Sequence, residues 1–218
     1  MKLIVKDNEP LEWTEFRNTP GTNYESKPCL RQALYQEQGG ICAYCSRRLF
    51  DEFSNGTTTN RIEHIKAQSK CTREERMHYT NMVLCCNGRI YNNDTSDNNT
   101  ICDLHRKNDD ISISPLNKSC IDSISYSTTG RILSSNLDWN KDINKTLNLN
   151  HPVLVSNRRS SLTAIIATLG KKKDWKISEI KSMIKKFENR NADGLFEPNS
   201  DIIVWQLKKW ASHKGVTL

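Results

Sequence analysis

ICAYC, residues 41–45, holds Cys42 and Cys45 at a spacing that bends the backbone into a knuckle and aims both thiolates at one tetrahedral ion. Such a pair is half a site. Downstream, VLCCNG (residues 83–88) and ICDLH (residues 101–105) carry Cys85, Cys86 and Cys102. A zinc set of Cys42, Cys45, Cys86 and Cys102 follows, with Cys85 as the alternative to Cys86. If a strand runs through both, they point to opposite faces and only one can meet the ion. Cys29, Cys71 and Cys120 stand alone and read as small buried hydrophobes.

The thiols read as ligands because of the compartment the rest of the chain implies. No run of about 18 apolar residues occurs, and MKLIVKDNEP reaches charge before any apolar signal region, so a cytoplasmic protein without a membrane span is expected. Reducing conditions there disfavour disulfides and favour clustered cysteines as metal ligands. The charge is uneven. Residues 151–218 carry 13 Lys and Arg against 6 Asp and Glu, which accounts for the whole chain's net +7.

Outward from the knuckle, PCLRQALYQEQGG (residues 28–40) reads as a helix opened by Pro28 and stopped by Gly39 and Gly40. Between residues 41 and 133 the periodicity is strand-like in RIEHI, MVLC, DSISYS and RILSS, with STTG as a hairpin turn. The polar stretches SNGTTTN and NGRIYNNDTSDNNT read as surface loops. Beyond about residue 136 the pattern turns helical. Leu162, Ile165, Ile166 and Leu169 mark one helix, Ile177, Ile180, Ile184 and Phe187 a second, and Asp201 to Ser212 a third. The best boundary divides 1–140 from a basic helical region, 141–218. In that region Trp175, Trp205 and Trp210 serve either partner docking or a helical core. Lys171, Lys172 and Lys173 either track a nucleic-acid backbone or form a solvated flank.

Inside the cysteine frame lies RIEHIKAQS (residues 61–69), where Glu63 and His64 sit side by side at a strand end. An asparagine, Asn81, precedes the apolar MVLC, and Asp103 follows the last cysteine at a polar helix start. Knuckle, strand ending in acid-His, loop, Asn, apolar strand, second knuckle and helix start: this order, from Cys42 to about Asn108, resembles the HNH (ββα-metal) endonucleases. The resemblance implies an α+β fold, with a zinc-stabilised ββα-metal core, an N-terminal helix and a C-terminal helical extension. It also implies Mg²⁺ or Mn²⁺ held by Glu63 and Asp103, with His105 competing for the latter role. His64 would be the general base, and Asn81 would brace the loop and orient the imidazole. Arg106 would contact phosphate. The chain departs from the family pattern in the long insertion between Cys86 and Cys102, and in Glu63 where aspartate or histidine is more usual.

A longer run resembles one branch of that family. QEQGGICAYC, RIEHIKAQS, CCNG, CDLHRKND, SISPLN and INKTLNLNHPVLVSNRR are similar to the PtuB family, the HNH component of Septu and retron-linked anti-phage systems. LNLN discriminates best, since it lies outside the nuclease motif. The likeness implies a toxic effector cutting DNA, or RNA such as tRNA, beside a PtuA-type ATPase. In retron-linked members it also implies a reverse transcriptase with its DNA-RNA product.

Overall fold

The sequence's short strands and helical tail fold as an α+β protein with two small antiparallel sheets. The computed structural model describes residues 1–52, 59–91 and 96–214. Much of SNGTTTN and the centre of NGRIYNNDTSDNNT lie outside the described residues.

Two helices lead in: α1 (Leu11–Asn18) and α2 (Pro28–Glu37). Trp13 of α1 is fully buried, and its indole N–H donates to the Met77 carbonyl at 3.1 Å. Pro28 occupies the first turn of α2, where a missing N–H costs nothing. Gln38, just after α2, donates to the Leu84 carbonyl and accepts from the Leu84 amide, so the helix end fixes the strand that follows the loop.

The first sheet pairs β1 (Arg61–His64) with β2 (Met82–Cys85), Glu63 opposite Val83 and His64 opposite Met82. Between them stands the short helix α3 (Arg73–Met77), whose Thr72 and Glu75 form a reciprocal cap. Helix α4 (Cys102–Arg106) follows the insertion, then α5 (Lys118–Asp122). The second sheet is the expected hairpin, β3 (Ile124–Tyr126) and β4 (Ile132–Ser134), closed by Ser127 N–H to the Arg131 carbonyl at 2.9 Å. Helix α6 (Leu137–Lys141) leads to three longer helices: α7 (Pro152–Gly170), α8 (Ile177–Glu188) and α9 (Ser200–His213).

The expected division at residue 140 does not coincide with a gap in the core. Ile143, Leu147, Leu149, Leu154, Leu162 and Ile202 pack in one cluster with Leu30, Leu34, Tyr44 and Met82, so residues 1–140 share their interior with the tail. A second, smaller core joins Ile165, Leu169, Ile180, Ile184 and Leu207. The three tryptophans belong to these interiors. Trp205 packs against Tyr126 and the main core, while Trp175 and Trp210 pack against the smaller one. Trp205 and Trp210 lie on α9, whose apolar stripe faces the interior, while Trp175, in the turn between α7 and α8, donates its indole N–H to the Leu169 carbonyl at 2.9 Å. Lys171, Lys172 and Lys173 are exposed, with Lys172 paired to Glu179. Among the described residues, no helix is long and apolar enough to cross a membrane.

Candidate active site and metal centre

The four expected thiols converge. The Sγ atoms of Cys42, Cys45, Cys86 and Cys102 all lie within 4.8 Å of one another, and all four residues are buried. A zinc–sulfur bond of about 2.3 Å requires tetrahedral S···S edges of roughly 3.8 Å. The Cys42–Cys102 and Cys45–Cys86 separations, each 3.9 Å, match that edge. The cluster could therefore hold a metal ion such as zinc. Arg47 donates to the Cys86 sulfur at 3.2 Å and supplies a cation beside the sulfur cluster.

Strand geometry decides between the neighbouring cysteines. Pairing in β2 ends at Cys85, whose thiol sits on the side of the carboxylates. Burial, with Glu63 and Asp103 acting in the same sense and neighbouring Cys42 opposing, pushes the Cys85 thiol up to about 12, which keeps it protonated. Cys86 lies one residue past the strand and turns to the cluster.

The insertion that lengthens the second knuckle is tied off at its base. Arg89 bridges Thr100, the Ile90 amide bonds the Asn99 carbonyl at 3.1 Å, and the Ile101 amide bonds the Gly88 carbonyl at 2.8 Å. Whatever length the insertion has beyond that point, Cys86 and Cys102 emerge side by side. Gly88 makes the close approach possible. Its φ is +75°, and a Cβ there would collide with the Leu104 Cβ and lie 2.9 Å from the Ile101 carbonyl oxygen. Gly88→Ala is expected to cost about 2–4 kcal/mol, combining left-handed strain with overpacking. A denaturant midpoint measured with zinc present would register it.

LNLN now has a structural purpose. The Leu147 carbonyl accepts the Cys102 amide at 2.9 Å, and Asn148 (φ +48°) donates to the Thr100 carbonyl at 3.0 Å. Asn150 brackets Ile132, accepting from its amide and donating to its carbonyl, both at 2.9 Å. The segment clamps the second knuckle to the β3–β4 hairpin.

Beside the cluster lies a cleft of about 320 Å³, lined by Arg61, Glu63, His64, Gln68, Asp103 and Lys107 among others. Glu63 enters from β1 and Asp103 from the first turn of α4, close enough for each carboxyl to feel the other's charge. Both are buried. Burial and the adjoining Asp103 push the Glu63 carboxyl up to about 8, against the opposing pull of Arg106. Paired buried acids of this kind are a donor set for a hard divalent ion, which takes oxygen ligands.

His64 is buried with its ring edge-on to Tyr24 at 4.7 Å between centroids. Its Nε2 lies 3.0 Å from the Arg76 carbonyl oxygen. A carbonyl can only accept, so Nε2 carries the proton and Nδ1 keeps the lone pair. Burial lowers the imidazole's pKa, which holds it neutral.

The remaining expected residues separate clearly. Asp103, not His105, meets Glu63. His105 turns away, its Nδ1 2.9 Å from the Thr100 hydroxyl and its Nε2 3.1 Å from the Lys145 carbonyl. The reason is helical spacing: Asp103 and Arg106, three apart, share the face towards β1, and His105 does not. Asn81 braces the loop as expected, accepting from the Lys66 amide at 2.9 Å, while its backbone carbonyl accepts from Ile65. The imidazole, however, is oriented by Arg76 and Tyr24 rather than by Asn81. Arg106 is placed away from any phosphate contact. It is only 1% exposed, pairs with Glu63, and donates to the carbonyls of His64, Ile65 and Asp109. It holds the end of β1 in shape.

Sequence reasoning missed Tyr44 and Arg61. The Tyr44 hydroxyl donates to Glu63 Oε1 at 3.1 Å, linking the middle of the first knuckle to the acid. Its position between two metal-spaced cysteines was the available signal. Arg61 pairs with Asp103 through its Nε. It stands two residues before Glu63, hence on the same strand face. No family model and no curated protein matches this chain.

Proposed function

We propose that this protein is a metal-dependent HNH endonuclease that hydrolyses phosphodiester bonds of DNA or RNA. One observation carries the reading: Glu63 and Asp103, 40 positions apart in sequence, share a cleft with a neutral His64. Phosphodiester hydrolysis needs a base for water and a cation for the charge that builds on oxygen. A bound Mg²⁺ or Mn²⁺ would supply that cation. Glu63 and Asp103 would hold it, with Arg106 and Tyr44 fixing the Glu63 carboxylate. His64 takes the proton of the attacking water at Nδ1 while Nε2 remains anchored on the Arg76 carbonyl. Asn81 holds the loop that follows β1. Zinc in the four-cysteine cluster would cross-link the two knuckles that carry Tyr44 and Asp103.

The likeness to the PtuB family supports a role as an anti-phage effector working with a PtuA-type ATPase, and in retron-linked members with a reverse transcriptase. The testing experiment is purification with co-expressed neighbours, zinc analysis, and a cleavage assay with Mg²⁺ or Mn²⁺ offering DNA and total RNA. Cleavage that stops on chelation is expected. Nucleic-acid binding that survives chelation, with no cleavage in either metal, would point instead to a zinc-stabilised binding or adaptor subunit.

A pH dependence follows from Glu63. The carboxyl, raised to about 8, must lose its proton before it ligates metal. Protons therefore compete below that value, and apparent Mg²⁺ affinity should fall by up to about tenfold per pH unit as pH drops from 8. Titration calorimetry in buffers of different ionisation enthalpy should record proton release on binding, absent in Glu63→Gln.

A further inference from the structure

We propose that Arg61 is a phosphate-positioning residue, held on Asp103 until a divalent ion takes that carboxylate and then freed into the cleft to meet the nucleic-acid backbone. The inference rests on the nuclease reading and assigns the substrate contact that Arg106 is too buried to make.

The balance of charge motivates it. Two carboxylates, Glu63 and Asp103, face two guanidiniums, Arg106 and Arg61, each paired with one acid. With both acids ionised, the state that ligates metal, the set is neutral, and a divalent ion placed between the acids adds two positive charges. One guanidinium must then give up its acid or share it. Arg106 is fixed by its pairing with Glu63 and by three backbone carbonyls, and its side chain is 1% exposed. The Arg61 side chain is 48% exposed and is tied to the site through its ion pair with Asp103. Exposure of the guanidinium lets it swing at low cost, since an ion pair open to water on one side is weak.

Its new partner is set by geometry and chemistry. Arg61 lines the cleft on the same strand face as Glu63, within reach of whatever occupies the space between Glu63 and Lys107. A guanidinium fork matches two phosphate oxygens at once. The lysines near the cleft pair with acids outside the site: Lys66 with Glu75, Lys70 with Asp110 and Lys107 with Asp97. Unlike these lysines, Arg61 pairs with an acid of the site, and unlike Arg106 it is exposed, so the ion would act on it directly. Metal and phosphate binding would thereby reinforce each other.

The test uses the full chain with its zinc, in a His64→Ala background that blocks turnover, and labelled duplex DNA or bulk tRNA as probes. With Mg²⁺ present, Arg61→Gln should weaken binding of the cleaved class on the order of tenfold, the effect of losing a charge-assisted contact. Without Mg²⁺ it should change nothing, because Arg61 is then occupied. Asp103→Asn should free the guanidinium and raise affinity without Mg²⁺, and adding Arg61→Gln should remove that gain. In calorimetry without nucleic acid, Arg61→Gln should bind Mg²⁺ more tightly than its parent. Equal losses with and without Mg²⁺, or no loss in either, would overturn the inference while leaving a Glu63- and Asp103-dependent metal site standing. Failure of the parent to take up Mg²⁺ at all would overturn the nuclease reading and the inference together.

Discussion

Replacing His64 with alanine is expected to lower cleavage by about 10²- to 10⁴-fold, the range supplied by a positioned general base. The imidazole is suited to the task by three independent features. Burial keeps it neutral, the Arg76 carbonyl fixes the proton on Nε2, and Tyr24 holds the ring from the side. Because the ring is packed, the truncation also costs stability, on the order of 1–3 kcal/mol through a small cavity and an unpaired carbonyl. Zinc content should be unchanged. His64→Asn fills more of that space and separates the two effects: it should melt closer to the wild type yet remain inactive. Wild-type turnover in either variant would remove His64 from the mechanism.

The second large effect concerns the thiols. Cys86→Ser is expected to abolish stoichiometric zinc and to unfold the two knuckles, forfeiting much of the ~10–16 kcal/mol that a structural zinc site supplies to folding. Loss should spread beyond the cluster. Tyr44 and Asp103 ride on the knuckles, and Leu147 is bonded to Cys102, so the cleft and the tail both depend on it. Cys85→Ala should behave differently. Its side chain is buried but faces the carboxylates, so it should keep zinc and lose only about 1 kcal/mol of packing. Metal analysis of the two purified variants, with circular dichroism on each, distinguishes them. Zinc retained by Cys86→Ser and lost by Cys85→Ala would reverse the assignment.

The parts of this molecule that sequence reveals are those encoded locally. The ICAYC spacing, the strand periodicity of RIEH and MVLC, the STTG hairpin and the Pro28 helix start each depend on residues within a few positions. Side-chain direction is less accessible. Arg106 reads as a phosphate contact through the family resemblance, which does not fix the direction of its side chain. Here a five-residue helix turns it inward, with Asp103, against β1. The set of Cys86 and Cys102 with the first pair was legible, but not how the chain closes across the long insertion between them, which the Arg89–Thr100 bridge and the Gly88 approach accomplish. LNLN was legible as unusual but not as a clamp, since its partners lie at residues 98–102 and 132. The tryptophans show the same limit. Amphipathic periodicity shows that a ring lies on a stripe, not what covers that stripe.

Cleavage of DNA and RNA by zinc-loaded protein, titrated with Mn²⁺ and run beside Asp103→Ala, most directly addresses whether this cleft is a nuclease site. Saturable, Mn²⁺-dependent cutting by the wild type is expected, with zinc content equal in both proteins and activity absent from Asp103→Ala at every Mn²⁺ concentration. Cutting by Asp103→Ala at the wild-type rate and metal dependence would contradict the assignment and place the chemistry elsewhere in the chain.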